Sequence, residues 1–149
     1  MKVMRLLSSL KHDESERGIF HLGRALVKNE HTSIIISSAD EENDLVKRLK
    51  RDGNIYHQLY MNKKSWLSLL QVAPLRRLIE KYDPDVIHVH SRTPAWILHL
   101  ALRRARVKRR PKLVSTMYGF YPINKYSQAL LDVDTIITVS DSVTNYLKK

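Results

Sequence analysis

Short apolar runs alternate along the chain with longer segments in which apolar residues recur every three to four positions. Runs such as "TSIIISS" and "DVIHVHS" are rich in β-branched residues, whereas "ESERGIFHLGRALVKN" and "TPAWILHLALRRARV" have the period of an amphipathic helix. Because the short runs are apolar at nearly every position, they are typical of strands buried on both faces of a sheet. The pattern therefore predicts an α/β fold, a doubly wound parallel sheet of about six strands with helices on both faces.

The order of strands in such a sheet locates a functional face. Right-handed crossovers favour the order 3-2-1-4-5-6, in which ligands bind at the carboxyl ends of the strands beside strand 1. The loops predicted to build this face are His12–Arg17 after strand 1, His90–Thr93 after strand 4, Tyr118–Asn124 after strand 5 and Ser140–Asp141 after strand 6. Candidate site residues are therefore sought in these four loops.

Local signals suggest where individual helices begin or break. Thr93 is a suitable N-cap for a helix with Pro94 at its first position, and Ser140 can cap the last helix. Pro74 falls inside an apolar helical pattern and should break or kink that helix near Ala73.

Composition limits the class of protein. The 149 residues suit one domain, 1–149, and with 43% apolar and 28% charged residues the chain is neither disordered nor fibrous. Cysteine is absent, which excludes disulfides and thiolate chemistry. No apolar run reaches the roughly 18 residues of a membrane span, and no secretory signal is recognisable, so a cytoplasmic protein is expected. The net charge of +11 predicts attraction to an anionic partner.

The first loop, "KHDESERG", lacks the glycines that let a backbone approach a pyrophosphate closely. No nicotinamide, flavin or other cofactor is therefore expected. Its acidic residues Asp13, Glu14 and Glu16 have two interpretations that the sequence leaves open, as favourable charges at a helix start or as ligand contacts.

The segment "VIHVHSR" places His88 and His90 on one side of a strand, with Ser91 and Arg92 at its end. A metal site would require a third ligand, and no residue has suggestive spacing, so no metal is expected and hydrogen-bonded histidines are favoured. A guanidinium at the carboxyl end of a strand suits bidentate binding of phosphate or carboxylate, which makes Arg92 a candidate anion ligand.

The segment "RRARVKRRPK" carries seven basic residues in ten positions, between a helix end and a strand start. Cations at the C-terminus of a helix interact favourably with the helix dipole, so part of this charge requires no binding partner. The rest predicts a membrane-binding surface for anionic lipid headgroups, and nucleic acid is not expected because stacking aromatics and a known reading module are lacking. These seven residues, the basic run, are Arg103, Arg104, Arg106, Lys108, Arg109, Arg110 and Lys112.

Four blocks of the sequence, "ESERG…LGRALVKNEHTSIIIS", "YDPDVIHVHSRTPAWI", "LVSTMYGFYPINKYS" and "DTIITVSDSV", together resemble the N-terminal domain of family 4 glycosyltransferases. The resemblance extends from Lys2 to about Leu147. It implies a Rossmann-like half of the two-domain GT-B architecture, in which this domain mostly binds the acceptor and a second domain binds the nucleotide sugar. The reaction would take place in the cleft between the two domains.

The resemblance also implies site residues, and some of them depart from the family pattern. Tyr118 occupies the position of a family histidine that faces the cleft, so the catalytic residue stays unknown. Asp13 and Glu14 match paired family glycines, whereas Glu16, Arg17 and Gly18 are retained. The candidate substrate-binding residues are Asp13, Glu14, Glu16, Arg17, His90, Ser91, Arg92, Tyr118, Gly119, Tyr121 and Ser140.

By this resemblance the chain is expected to be the acceptor half of a hexosyltransferase, with the donor-binding C-terminal domain absent from it. The expected reaction transfers sugar from a nucleotide sugar to an envelope glycolipid or lipopolysaccharide acceptor. Expected partners are a separately encoded donor half, the glycolipid and an anionic membrane, with peripheral attachment to the inner face of the cytoplasmic membrane. The chain alone is expected to be inactive. The alternative is a truncated remnant that acts as a non-catalytic glycan- or membrane-binding module.

Overall fold

The computed structural model describes residues 1–10, 14–61, 66–121 and 124–148. Within these residues, six strands form one sheet. The strands are β1 (Lys2–Leu6), β2 (Thr32–Ser37), β3 (Ile55–Gln58), β4 (Val86–Val89), β5 (Lys112–Met117) and β6 (Thr135–Thr138). The helices are α1 (Glu14–Lys28), α2 (Asp44–Arg51), α3 (Val72–Tyr82), α4 (Arg92–Leu102), α5 (Lys125–Leu131) and α6 (Asp141–Leu147), and a 3-10 helix (Trp66–Gln71) directly precedes α3.

The order of the strands is β3-β2-β1-β4-β5-β6, and every neighbouring pair is parallel. The predicted fold and strand order are therefore confirmed. In the centre, β1 pairs with β4 from Val3 opposite Val86 to Leu6 opposite Val89. The connections leave β1 and β4 in opposite directions along the sheet, which opens a crevice over their carboxyl ends.

A hydrophobic core lies on each face of the sheet. Side chains alternate between the faces along β1 and the residue that follows it, with Met4 and Leu6 in one core and Leu7 in the other. The first core, beneath α3 to α6, includes Ile34, Leu75, Ile79, Ile87, Leu98, Leu113, Leu130 and Val143. The second core, beneath α1 and α2, includes Ile19, Phe20, Ile35, Leu45, Val46, Leu49 and Tyr56.

The local signals differ in how well they predict helix starts. Ser140 caps α6 as predicted, since its Oγ accepts a hydrogen bond from the Val143 amide at 3.3 Å. The cap predicted at Thr93 is wrong, because α4 begins at Arg92 and Thr93 lies within its first turn. Proline is tolerated throughout the first turn of a helix, where amides have no intrahelical partner, so Pro94 does not specify the first residue.

The break predicted near Ala73 is confirmed as a change of helix type. A 3-10 helix ends at Gln71, and the α-helical hydrogen bonds of α3 begin at Val72, with Pro74 in the first turn. The missing amide of proline therefore falls where no intrahelical partner exists.

Candidate functional site

The carboxyl ends of β1 and β4 meet at the crevice. The His90 amide donates a hydrogen bond to the Leu6 carbonyl at 3.1 Å, which fixes the first residue after β4 beside the end of β1. Ser91 and Arg92 follow at the start of α4, and Tyr118 follows β5 at the same edge. The structure thus brings the central residues of the predicted site to the switch point of the sheet.

Two histidines and their partners form a column on the face covered by α1. The His88 and His90 rings stack with their centroids 4.1 Å apart. His88 Nε2 shares a hydrogen bond of 2.6 Å with Thr116 Oγ1, and His90 Nδ1 shares one of 2.8 Å with the Tyr118 hydroxyl. His88 lies opposite Val114 in the register of β4 and β5, so its partner Thr116 is two residues farther along β5, and His90 bonds in the same way to Tyr118 just after β5. These bonds hold both rings.

A buried arginine lies next to this column. Arg5, in the middle of β1, is 0% exposed, and its Nη1 donates to the Ile19 carbonyl of α1 at 2.8 Å. Its Nε and Nη2 have no hydrogen-bond partner among the described residues. Burial lowers the pKa of Arg5 to about 10, opposed by the charge of Tyr118. Arg5 therefore remains a cation at neutral pH and gives this side of the crevice a positive potential.

The same burial keeps both histidines neutral. It lowers the pKa of His88 to about 4, with the positive charge of Arg5 as a second cause. The pKa of His90 is also held well below its usual value, first by burial and then by His88 and Arg5. Both imidazoles are therefore uncharged at pH 7. In each ring one nitrogen is a hydrogen-bond donor and the other is an acceptor.

Two polar atoms in the residues that join β4 to α4 are buried without a partner. His90 Nε2 and Ser91 Oγ are shielded from solvent and have no hydrogen-bond partner among the described residues. Leaving a buried polar group unpaired costs about 1–3 kcal/mol, so such atoms mark places where a ligand or ordered water completes the structure. His90 Nε2 and Ser91 Oγ are therefore the strongest indication of a binding site.

A second cluster flanks the crevice from the side of α4 and α5. The Arg92 guanidinium lies over the rings of Tyr121 and Tyr126, 5.0 and 4.9 Å from their centroids. Its Nη1 donates to Ser127 Oγ at 3.3 Å. Tyr126 also shares a hydrogen bond with Thr93. The two rings hold the guanidinium in place while the half-buried side chain keeps donors available for an anion.

Arg92 and Tyr118 therefore share the edge but belong to different clusters. Tyr118 joins the histidine column on the face of α1, whereas Arg92 contacts α5 on the other face. A ligand seated over the strand ends, between α1 and α4, would lie between these clusters.

The remaining predicted residues have varied positions. Arg17 is exposed on α1, and Ser140 is occupied as the cap of α6. A methyl group added at Gly119 would meet open space, so no packing requires this glycine. Asp13 lies outside the described residues. Glu14 and Glu16 lie in α1, but their side chains are outside the description.

Sequence reasoning missed several residues that support these clusters. Arg5 could have been found, because a charged residue inside the otherwise apolar run "KVMRLL" is unusual for a buried strand. Thr116, Tyr126 and Ser127 carry no comparable signal, since their partners are set by strand register and helix packing. Within the described ranges, no group of three or more histidines or acids is arranged to hold a metal ion.

The basic run lies at the opposite, amino-terminal edge of the sheet. All seven of its basic residues are exposed. Arg109 pairs with Asp85 at 3.2 Å, beside a cavity of about 280 Å³ lined by Asp83, Pro84, Asp85, Lys108 and Arg109. Because two acids balance two bases there, this cavity is a poor anion site despite its size. No helix in the described part of the chain is long and apolar enough to cross a membrane.

Comparisons with known proteins agree with the geometry. The sequence model described as Glycosyltransferase Family 4 matches residues 15–149. No curated protein sequence matches this chain significantly.

Solved structures show similar folds over much longer chains. A glycosyltransferase from Rickettsia africae ESF-5 is 27% identical with a TM-score of 0.76, and the match covers 99% of this chain and 39% of that one. The apo lipopolysaccharide outer core galactosyltransferase WaaB is 14% identical with a TM-score of 0.72, covering 99% and 42%. An Anabaena HepE structure with UDP and glucose is 16% identical with a TM-score of 0.58, covering 80% and 30%. This chain thus spans about two fifths, or less, of these structures.

Proposed function

Because this chain belongs to glycosyltransferase family 4, we propose that residues 1–149 form the acceptor-binding half of a GT-B glycosyltransferase. The reaction is transfer of a sugar from a nucleotide sugar to a hydroxyl group of an envelope glycolipid or lipopolysaccharide acceptor. One structural neighbour is a lipopolysaccharide outer core galactosyltransferase, which supports this acceptor class by analogy only.

The observation that carries the proposal is the pair of shielded, unpartnered atoms at the switch point, His90 Nε2 and Ser91 Oγ. Sugars present hydroxyl groups that both donate and accept hydrogen bonds. A neutral imidazole nitrogen and a serine hydroxyl match that chemistry, and both stand where ligands bind in doubly wound sheets.

His90 suits orientation of an acceptor hydroxyl better than removal of its proton. A general base works best when its pKa is near the operating pH, whereas burial holds the pKa of His90 well below its usual value. Its bond to the Tyr118 hydroxyl occupies Nδ1 and leaves Nε2 for a ligand. Tyr118, the counterpart of the family histidine, therefore acts here by positioning the His90 ring.

The charges around the crevice favour an acceptor that carries an acidic group. Arg92 offers a guanidinium held between two tyrosine rings, and Arg5 contributes a buried positive charge on the other side. Phosphate or an acidic sugar would bind Arg92 directly and would be attracted by the buried charge of Arg5, and the exposed Arg17 adds a further positive charge on α1. An uncharged acceptor would gain no electrostatic attraction from these positive charges.

The nucleotide sugar requires another domain in this proposal. The first loop carries Asp13 and Glu14 where family members have glycines, and two acids repel a diphosphate. Catalysis in a cleft depends on holding both reactants in register, so the 149 residues alone should not turn over a donor. The donor half, supplied as a separate polypeptide, remains a prediction.

The test is nucleotide release from a panel of sugar nucleotides by the purified 149-residue chain, with and without a candidate donor half. We expect no turnover by the chain alone and transfer or donor hydrolysis in the mixture. In the active mixture, Arg92→Met should lower the rate at least about tenfold, since hydrogen bonds to charged groups contribute about 1.5–3 kcal/mol. Arg51→Met, an exposed arginine at the end of α2, is the matched control. Tyr118→His should also change the rate.

Each alternative outcome has a defined meaning. Turnover by the chain alone would refute the half-enzyme proposal. Absence of nucleotide release both with and without the donor half would favour the non-catalytic binding module. Equal decreases in rate for Arg92→Met and Arg51→Met would remove Arg92 from the site.

A further inference from the structure

Phe120 is an exposed aromatic side chain that is held by a second ring. It follows the carboxyl end of β5 and is 60% exposed. Its ring meets the ring of Tyr146 in α6 nearly at a right angle, with the centroids 5.1 Å apart and the planes at 87°. The Tyr146 hydroxyl donates a hydrogen bond to the Tyr121 carbonyl at 2.8 Å, which ties α6 to the same loop. A ring that is both exposed and positioned by its neighbours offers a ligand a preformed aromatic surface.

The segment that carries Phe120 joins the two clusters of the candidate site. Tyr118 belongs to the histidine column, and Tyr121 lies under the Arg92 guanidinium. Phe120 stands between them in the chain, with its Cα about 3.8 Å from that of Tyr121. A methyl group added at Gly119 would meet no described atom within 4 Å, so the described residues leave space beside this segment for a ligand.

A sugar ring is a ligand group that suits such a surface. One face of a pyranose presents several C–H groups, which carry small positive charges, whereas the face of an aromatic ring is negative. The two faces therefore attract each other, and apolar area on both leaves water when they stack. The sugar hydroxyl groups stay at the edge of the stack, where they can hydrogen-bond to polar side chains and water.

The surroundings of Phe120 favour a sugar over a protein partner. Protein contacts use contiguous apolar patches. Phe120 instead stands between two tyrosines, Tyr118 and Tyr121, and the second of these carries the Arg92 cation on its ring. An aromatic ring beside a guanidinium and hydroxyl groups matches a sugar that carries an anionic substituent.

We propose that Phe120 is a stacking platform for a sugar ring of the acceptor, next to the anion site at Arg92. The group bound here is then a sugar with a phosphate or carboxylate substituent, its ring on Phe120 and its anion at Arg92. Phe120 selects for the ring, and Arg92 selects for the charge. This inference rests on the proposed function, because it assigns the acceptor sugar to a surface of the same site.

Binding of a lipopolysaccharide core oligosaccharide tests the platform without any sugar donor. The phosphorylated oligosaccharide, and the same oligosaccharide after chemical removal of its phosphates, are titrated into the 149-residue chain, and the dissociation constants are measured by NMR. Phe120→Leu keeps an apolar side chain but removes the ring, so both forms should bind at least about threefold more weakly. Phe120→Tyr keeps the ring and should bind both forms as the wild type does.

The matched control is Tyr60→Leu, which removes an equally exposed ring, also 60% accessible, after β3 at the opposite edge of the sheet. This variant should bind both forms as the wild type does. Arg92→Met should weaken binding of the phosphorylated form alone, since it removes a charge and leaves Phe120 in place.

Equal effects of Phe120→Leu and Tyr60→Leu would overturn the platform, as would weak binding by Phe120→Tyr or no binding of either form by the wild type. A change of oligomeric state in Phe120→Leu, measured by light scattering without ligand, would assign the ring to a contact between two copies and likewise overturn it. Nucleotide release with a donor half is measured separately from this binding. Failure of the platform is therefore distinguishable from failure of the proposed function.

Discussion

Arg5 and His88 show how burial controls protonation around the crevice. Burial disfavours the charged form of both side chains, yet the pKa of Arg5 stays at about 10 while that of His88 falls to about 4. At neutral pH one side chain is therefore charged and the other is neutral. The arginine also disfavours a proton on either histidine of the column, which preserves their hydrogen bonds to Thr116 and Tyr118.

The neutral state of His88 predicts an acid-sensitive stability. Above pH 6.5 the imidazole is neutral in both the folded and the unfolded chain, so its contribution is constant. Between pH 6.5 and about 4 only the unfolded chain gains the proton, so the free energy of unfolding should fall, by up to about 3 kcal/mol from this side chain. His88→Gln should reduce this fall, measured by urea unfolding at a series of pH values.

The matched control is His21→Gln, which makes the same substitution at an exposed histidine of α1. Equal profiles for wild type and His88→Gln would show that the buried histidine does not carry the effect.

At the scale of elements, the backbone of α1 packs closely on side chains of the sheet at one glycine. Gly23 of α1 is buried, and a methyl group added there would come within 2.7 Å of Asn54 Oδ1 and 2.8 Å of Arg5 Nη2. Both neighbours are nearly inaccessible to solvent, at 5% and 0% exposure, so neither side chain can move away freely. Absence of a side chain at Gly23 thus makes room for the buried cation beside α1.

Two alanine substitutions in this helix should have opposite effects. Gly23→Ala should lower the free energy of unfolding by about 1–2 kcal/mol, because overpacking displaces Arg5 or Asn54. Gly18→Ala, where an added methyl group meets nothing, should raise it by about 0.5–1 kcal/mol through helix propensity. Chemical denaturation of the two variants measures both. A stabilised Gly23→Ala would mean that α1 shifts outward at no cost.

At the scale of the whole molecule, positive charge is concentrated away from the crevice. The basic run lies at the amino-terminal edge of the sheet, whereas the histidine column and Arg92 lie at the carboxyl edge. A membrane contact at the basic run therefore would leave the crevice open. The ion pair of Arg109 and Asp85 is exposed to solvent and therefore weak, so Arg109 is available for binding at little cost in stability.

Binding of the basic run to anionic lipid should be strongly dependent on salt. Surface charges are screened over about 8 Å at physiological ionic strength, so binding to phosphatidylglycerol vesicles should weaken steeply as salt is raised. Replacing Arg103, Arg104, Arg109 and Arg110 together by Gln should reduce binding at least about tenfold, since each basic residue contributes about 1 kcal/mol near the membrane. Thermal unfolding should change little.

The control is a second quadruple variant, which removes four exposed positive charges from α1 and α2. Its substitutions replace Arg24, Lys28, Lys47 and Arg51 by Gln. Binding to neutral vesicles as strong as to anionic ones, or equal loss in the control, would contradict the assignment of the basic run.

The sequence by itself determined the α/β class, the strand order and the edge that carries the candidate site. These follow from side-chain periodicity, which is local, and from the handedness of crossovers, which is general. Tertiary structure alone decided the pairing of His90 with Tyr118 and of Arg92 with Tyr126, because partners some 30 positions apart meet only through strand register and helix packing. It also decided that Leu70 is exposed. Apolar character is a property of the residue, whereas burial depends on whether another element covers it.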